Sequence, residues 1–300
     1  MTDVDPLMQL FGRKPPETVD EMRAMLETFA GFLNQGLPEV GAFHEAVPVS
    51  EGVTADVVVP PGAGPHPVLV YLHGGGWICG SPATHRKLAY RFAEAGYLVF
   101  NVDYRLAPEH PFPTPLEDCV QAIRWAARTA PEYGGDPDRL AVGGDSAGAN
   151  LSAASAIQLS GDPACPKAAL LIYGVFDFAT IGDMPDELAG IGPMQELGER
   201  LVGMMVDAYL GPDRSEALLA DPRISPLHAA HRLPPSQVTV GTADPLVRQA
   251  ETLAKALAAA DVAHEHHVDH GMPHGYVQME FMAPTRPAIE RMVDFLRRHI

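Results

Sequence analysis

The sequence predicts an α/β fold, a mostly parallel sheet covered by helices on both sides, and three observations carry that expectation. From Pro67 to the C-terminus short apolar runs alternate with helical patterns. The runs are apolar on both faces, as strands buried between two helix layers must be, and do not alternate with polar residues. No linker, repeat or low-complexity tract divides the 300 residues, of which 46 % are hydrophobic, so one core is expected.

The elements follow in order. Thr18 can cap a helix and Glu21 can close a capping box, and the helix is expected to run to about Leu37. Met22, Met25, Phe29 and Phe32 recur along it at three- and four-residue spacing and form one apolar stripe. Two β-rich runs, Phe43 to Val49 and Thr54 to Val59, are joined through Ser50, Glu51 and Gly52 in a hairpin turn. Strands are then expected at Val68 to Leu72, Tyr97 to Val102, Leu140 to Gly143, Ala168 to Tyr173, Gln237 to Val240 and His264 to Val268. Helices are expected near Ala83 to Ala95, Thr114 to Ala127, from Ser146, near Leu246 to Ala260 and near Pro287 to Arg298. One segment breaks the rhythm: Phe178 to Leu210 holds Gly182, Pro185, Gly190, Gly192 and Pro193 before a helix near Glu196 to Tyr209. It is too long for an ordinary connection. With the N-terminal helix it forms an expected cap containing Met184, Met194, Met204 and Met205.

Composition excludes several classes of function. Lys plus Arg number 21 against 38 Asp plus Glu, a net charge of −17 that repels nucleic acid and anionic lipid. No apolar stretch reaches the length of a membrane span, and Thr2-Asp3-Val4-Asp5 is no signal-peptide start. Cys79, Cys119 and Cys165 are too few and too irregularly spaced for a disulfide framework or zinc site. A cytoplasmic protein without cofactor or metal is the expectation. Its partner would be a neutral small molecule, and a homodimer stays open.

Ligand sites in such sheets lie at the carboxyl ends of strands, so the residues just after each run bear the chemistry. Gly144-Asp145-Ser146-Ala147-Gly148 sits between an apolar run and a helical pattern, the context of a nucleophile elbow. His73-Gly74-Gly75-Gly76 follows another run, and glycines without Cβ allow backbone N–H groups to approach a bound oxyanion. Gly74, Gly75 and Ala147 are the expected donors. A phosphate loop is excluded because neither G-x-x-x-x-G-K-[ST] nor a helix-opening G-x-G-x-x-G is present. A serine needs a base, and the base needs a carboxylate. Asp244 directly follows the run ending at Val240 and could also cap the helix beyond it through its other oxygen. Among His264, His266, His267, His270 and His274, the first three fall in a strand run. His274, between Pro273 and Gly275, is the expected base and His270 its competitor. The chain order Ser146, Asp244, His274 is that of α/β-hydrolases.

These residues resemble the hormone-sensitive-lipase-like esterases, bacterial family IV of the α/β-hydrolases. The resemblance rests on His73-Gly74-Gly75-Gly76-Trp77, on Asp103-Tyr104-Arg105-Leu106-Ala107-Pro108-Glu109-His110, and on Gly144-Asp145-Ser146-Ala147-Gly148. Asp221-Pro222-Arg223-Ile224-Ser225-Pro226, Asp244-Pro245-Leu246 and His274-Gly275 complete it. It implies about eight strands, N-terminal cap helices over 1–42, and a catalytic domain over 43–300 with a cap insertion near 178–210. It also implies hydrolysis of short- or medium-chain carboxylic esters by Ser146, His274 and Asp244. Trp77, Met22, Met25, Phe29, Met204 and Met205 are the candidate apolar pocket. Tyr104 and Arg105 are taken as braces. Arg248 and Gln249 stand where the family usually carries acidic residues, Ala149 where glycine is frequent and Gly174 where proline is frequent. The same scaffold also carries non-catalytic small-molecule receptors, such as plant gibberellin receptors, and the same triad serves amidases, deacetylases and acyltransferases.

Overall fold

The computed structural model describes residues 15–183 and 193–300, with no side chains described over 193–197. Met184, Pro185, Gly190 and Gly192 of the expected cap therefore lie outside the described residues, as does the Met194 side chain. The eight strands are β1 (Ala42–Ser50), β2 (Val53–Val59), β3 (His66–Leu72), β4 (Leu98–Asp103), β5 (Gly135–Asp145), β6 (Ala168–Ile172), β7 (Ser236–Ala243) and β8 (His264–Pro273). They form one sheet in the order β1-β2-β4-β3-β5-β6-β7-β8. β2 pairs antiparallel with β1 and β4, and every later pairing is parallel. The hairpin forms because Gly52, at φ +74°, accepts the left-handed turn between β1 and β2.

Helices α1 (Val19–Leu33), α2 (Arg86–Glu94), α3 (Thr114–Thr129), α4 (Ala147–Gln158), α5 (Pro193–Leu210), α6 (Val247–Ala259) and α7 (Thr285–His299) complete the frame. Thr18 caps α1 by accepting the Glu21 N–H, whereas the Glu21 carboxylate takes the N–H of Glu17, so the capping box closes one residue early. α1 ends short of Leu37 because Asn34 turns aside: its amide donates to Ala83 O at 2.7 Å and its Oδ1 accepts from Lys87 N at 3.0 Å. The helix is thereby fastened to the start of α2.

The apolar runs 68–72, 98–102 and 168–172 are buried throughout, which is what apolar runs on both faces require. β5, β3 and β4 bring Asp145, His73 and Tyr104 to one edge of the sheet. β8 runs five residues past the expected end at Val268, because β7 also continues and pairs Ala243 with Pro273. Thr242 Oγ1 accepts the Gly271 N–H at 2.8 Å across that extension. His274 is thus delivered one residue beyond the strand end, at the carboxyl edge. Among the described residues no helix is long and apolar enough to cross a membrane.

Candidate active site

Ser146 joins β5 to α4 at φ +54°, ψ −120°, a strained conformation for a residue with a Cβ. The turn holds because the residues two positions to either side, Gly144 and Gly148, carry no Cβ. A Cβ on Gly144 would lie 2.4 Å from Leu72 O, and one on Gly148 would lie 1.9 Å from the same oxygen. The Ser146 N–H is spent on Ile172 O at 2.8 Å, which leaves the hydroxyl projecting.

His274 Nε2 lies 3.0 Å from Ser146 Oγ, and its Nδ1 lies 2.9 Å from Asp244 Oδ2. Asp244 is fully buried, and its second oxygen, Oδ1, accepts the Leu246 N–H at 2.8 Å. One carboxylate therefore orients the imidazole and caps the turn into α6, through separate oxygens. Burial pushes the His274 imidazole down, but the Asp244 carboxylate outweighs it and the net displacement is above the ordinary 6.5. His270 is exposed on β8 and takes no part. Tyr173, buried at φ +36°, packs its ring 4.8 Å from that of His274 and walls the base.

The His-Gly-Gly-Gly loop departs from expectation at one residue. Gly74 is not free as a donor, because its N–H is already shared between Asp145 Oδ1 at 3.1 Å and His85 Nε2 at 3.3 Å. Among the described residues no acceptor takes the N–H of Gly75, Gly76 or Ala147. The three free donors sit in the loop after β3 and at the first residue of α4. Gly75 and Gly76 hold φ values of +125° and +58°, and a Cβ on Gly75 would meet Cys79 O at 2.0 Å, so glycine is required there. His73 is buried, its ring held by Tyr104 stacked at 4.3 Å, and burial lowers its imidazole to about 3, so it is neutral. Tyr104 also donates to His73 O at 2.7 Å, and Arg105 is paired to Asp118 at 2.6 Å, so both residues brace the loops around them.

The candidate pocket residues divide. Met205 of α5 reaches the loop: a Cβ on Gly76 would stand 2.3 Å from its Sδ. Met204 is half-buried on α5 and Met25 on α1. Trp77, by contrast, is 2 % exposed and stacked on Tyr209 at 4.7 Å with Phe178 at 5.0 Å. It anchors α5 to the core and lines no open wall. Met22 is buried in the main core, and Phe29 packs with Leu33 and Met279 in a separate cluster. Their helical spacing reports packing. Sequence reading missed Arg23, whose guanidinium grips Glu109 at 2.8 and 2.7 Å and Ile78 O at 2.8 Å, pinning α1 beside the oxyanion loop.

The departures from the family pattern also find places. Gln249 Oε1 accepts from Phe176 N and Asp177 N, and its amide donates to Asp177 O and Thr180 Oγ1, so it brackets the chain leaving β6. Ala149 and Gly174 are one feature. A Cβ at 174 would lie 2.7 Å from Ala149 Cβ and 2.7 Å from Phe176 Cζ. Gly174→Ala should therefore cost about 1–3 kcal/mol in urea unfolding, as overpacking does, and less in an Ala149→Gly background. Equal costs in both backgrounds would show that the two positions do not compensate.

An eight-stranded sheet with a Gly-x-Ser-x-Gly turn, a His-Gly-Gly-Gly loop and a Ser, His, Asp constellation at its carboxyl edge defines an α/β-hydrolase. A family model described as alpha/beta hydrolase fold matches residues 69–278. Carboxylesterase NlhH of Mycobacterium tuberculosis is 37 % identical over 227 residues, covering 73 % of this chain and 69 % of its own length. Ethyl acetate hydrolase of Pseudomonas putida is 34 % identical over 238 residues, covering 77 % and 73 % respectively. Among solved structures, an esterase from the bacterial hormone-sensitive lipase family superposes with a TM-score of 0.81 at 33 % identity over 100 % of both chains. The hyperthermophilic esterase of the archaeon Pyrobaculum calidifontis gives 0.87 at 28 % identity, over 98 % of this chain and 96 % of that one. The chain belongs to the hormone-sensitive-lipase-like carboxylesterases of the α/β-hydrolase family.

Proposed function

We propose that this chain is a serine carboxylesterase that hydrolyses short- to medium-chain acyl esters through an acyl-enzyme. The observation that carries the reading is the imidazole of His274 standing between Ser146 Oγ and Asp244 Oδ2. His274 takes the Ser146 proton as Oγ attacks the ester carbonyl, and Asp244 fixes the tautomer and steadies the imidazolium. The carbonyl oxygen becomes an oxyanion, held by the free N–H groups of Gly75, Gly76 and Ala147. The alcohol leaves with the proton from His274, and water repeats the route on the acyl-enzyme. The net charge of −17 favours neutral esters over anionic ones. The ester named for the Pseudomonas putida relative, ethyl acetate, fits the short-acyl reading.

The test is turnover of p-nitrophenyl acetate, butyrate, octanoate and palmitate. Rates should be greatest for the shorter members, and a preference for palmitate overturns the chain-length reading. Met205 lies against Gly76, and on the proposed reading its side chain would limit the acyl chain beside the loop. Met205→Ala should raise the octanoate-to-butyrate ratio of kcat/KM by about tenfold, the equivalent of roughly two further methylenes buried at ~0.8 kcal/mol each. An unchanged ratio would remove Met205 from the acyl pocket.

A further inference from the structure

Asp145 is 3 % exposed, immediately precedes Ser146, and is left over by the mechanism above. Its partners come from β3 and the loop after it, from the segment following His274, and from the residue before α2. Oδ1 accepts the Tyr71 hydroxyl at 2.8 Å and the Gly74 N–H at 3.1 Å. Oδ2 accepts from Gln278 Nε2 at 3.3 Å, four residues beyond His274. His85 Nε2 stands 3.1 Å from Oδ1, and 2.7 Å from Gln278 Nε2. Gly74 lies so close that a Cβ there would be 2.5 Å from Asp145 Oδ2. Burial works against the carboxylate's charge, but His85 and the Tyr71 hydrogen bond hold it below the usual carboxylate range.

The hydrogen bond from the Gly74 N–H to Asp145 fixes the first peptide of the loop, and the bonds to Gly74 O and Gly75 O carry that setting to the next two N–H groups. In a trans peptide the N–H is directed opposite to the preceding C=O, so fixing a carbonyl fixes the next N–H. Gly74 O is held by His73 Nδ1 at 2.8 Å, and with the Gly74 N–H on Asp145 both sides of that residue are pinned. Gly75 O accepts from Ile78 N at 3.1 Å and Cys79 N at 3.0 Å. The N–H groups of Gly75 and Gly76 are consequently turned away from these acceptors. Their direction is set before any substrate arrives, the preorganisation from which an oxyanion hole gains its effect.

We infer that Asp145 is the positioning residue of the oxyanion hole, aligning the Gly75 and Gly76 N–H groups with the Ser146 elbow and the His274 segment through its bonds to Gly74 and Gln278. The inference rests on the esterase reading, in which those N–H groups hold the developing oxyanion. An acceptor at this position is what matters, since it is the Gly74 N–H that must be caught. Asn retains such an oxygen at the same place, whereas Ala leaves the Gly74 N–H only the longer, 3.3 Å approach of His85 Nε2.

The test compares Asp145→Ala and Asp145→Asn with wild type, using p-nitrophenyl butyrate for kcat and KM and an alkyl trifluoromethyl ketone as an oxyanion mimic. Reaction with a p-nitrophenyl phosphonate, run to completion, counts folded sites so that kcat is expressed per titrated serine. Asp145→Ala is expected to lose about 100-fold in kcat with KM within twofold, the order lost when one oxyanion donor is removed, and to lose ketone affinity in parallel. Asp145→Asn should keep kcat within about tenfold of wild type, because the Gly74 N–H is still caught. Fewer titratable sites with unchanged kcat per site and unchanged ketone affinity would mean that Asp145 only supports the fold, and would overturn the inference. So would an Asn variant that falls as far as Ala. If Ala yields no folded protein, Gln278→Leu reads the same alignment: it should lower kcat and ketone affinity together, and unchanged values contradict the role. Absence of ester turnover in wild type, by contrast, strikes the esterase reading itself.

Discussion

Ser146→Ala should lower kcat for p-nitrophenyl butyrate by about 10⁶, the loss seen when the nucleophile of such a unit is removed, and equivalent to about 8 kcal/mol of barrier. The size follows from the geometry. Ser146 Oγ is the atom that faces His274 Nε2 at 3.0 Å. The substitution keeps the Cβ that the strained turn already tolerates, and the N–H bond to Ile172 O is untouched, so the elbow should survive. Folding is checked by thermal unfolding, with Tm expected within a few degrees of wild type by analogy with other single-atom changes off the packed core. The free donors at Gly75, Gly76 and Ala147 remain, so KM or ligand affinity should move little while turnover collapses. Hydrolysis by the variant at anything near the wild-type rate would sink the triad assignment. Wild type that binds esters without turning them over would place the chain with the receptor-like members of this scaffold.

How far this site could be read beforehand depends on which physical cause set each part. The strands and helices were legible because their patterns are local: apolar runs at β3, β4 and β6, and glycines at 144 and 148 that the close approach of Leu72 O makes obligatory. Asp244 and His274 were legible because both sit just beyond strands whose carboxyl ends share one edge. The extension of β8 to Pro273 was not. Asp269, His270 and Gly271 carry no apolar signature, and the pairing is imposed by β7 alongside. The choice among the glycines of the oxyanion loop was beyond a sequence reading for a similar reason. Which way a peptide faces is fixed by its partners, here the sequence-distant Asp145 for Gly74 and the Ile78 and Cys79 N–H groups for Gly75, and glycine itself permits every orientation. Helical spacing also overstated the pocket. Met22, Phe29 and Trp77 obey the periodicity of a buried stripe or sit in a family motif, but they are packed inside, and only Met205 is seen against the loop.

The pH response separates the two roles of Asp244. The base must be neutral to accept the serine proton, and a pKa held above 6.5 means that less of it is neutral at a given acidic pH. Activity should therefore rise with pH on an acid limb whose midpoint lies above the ordinary histidine value. Asp244→Asn removes the carboxylate that raises His274 and leaves the burial that lowers it. The limb of kcat/KM should accordingly move to lower pH, even as kcat falls by about 10⁴ because the amide no longer enforces the required tautomer. The two effects have opposite signs below neutrality, so the deficit relative to wild type should shrink as the pH drops. Since the Asn side-chain oxygen can still accept the Leu246 N–H, the turn into α6 is kept and stability should change far less than activity. A limb that stays in place or moves to higher pH would mean that Asp244 does not govern the His274 proton, and a small fall in kcat would mean that another group orients the ring.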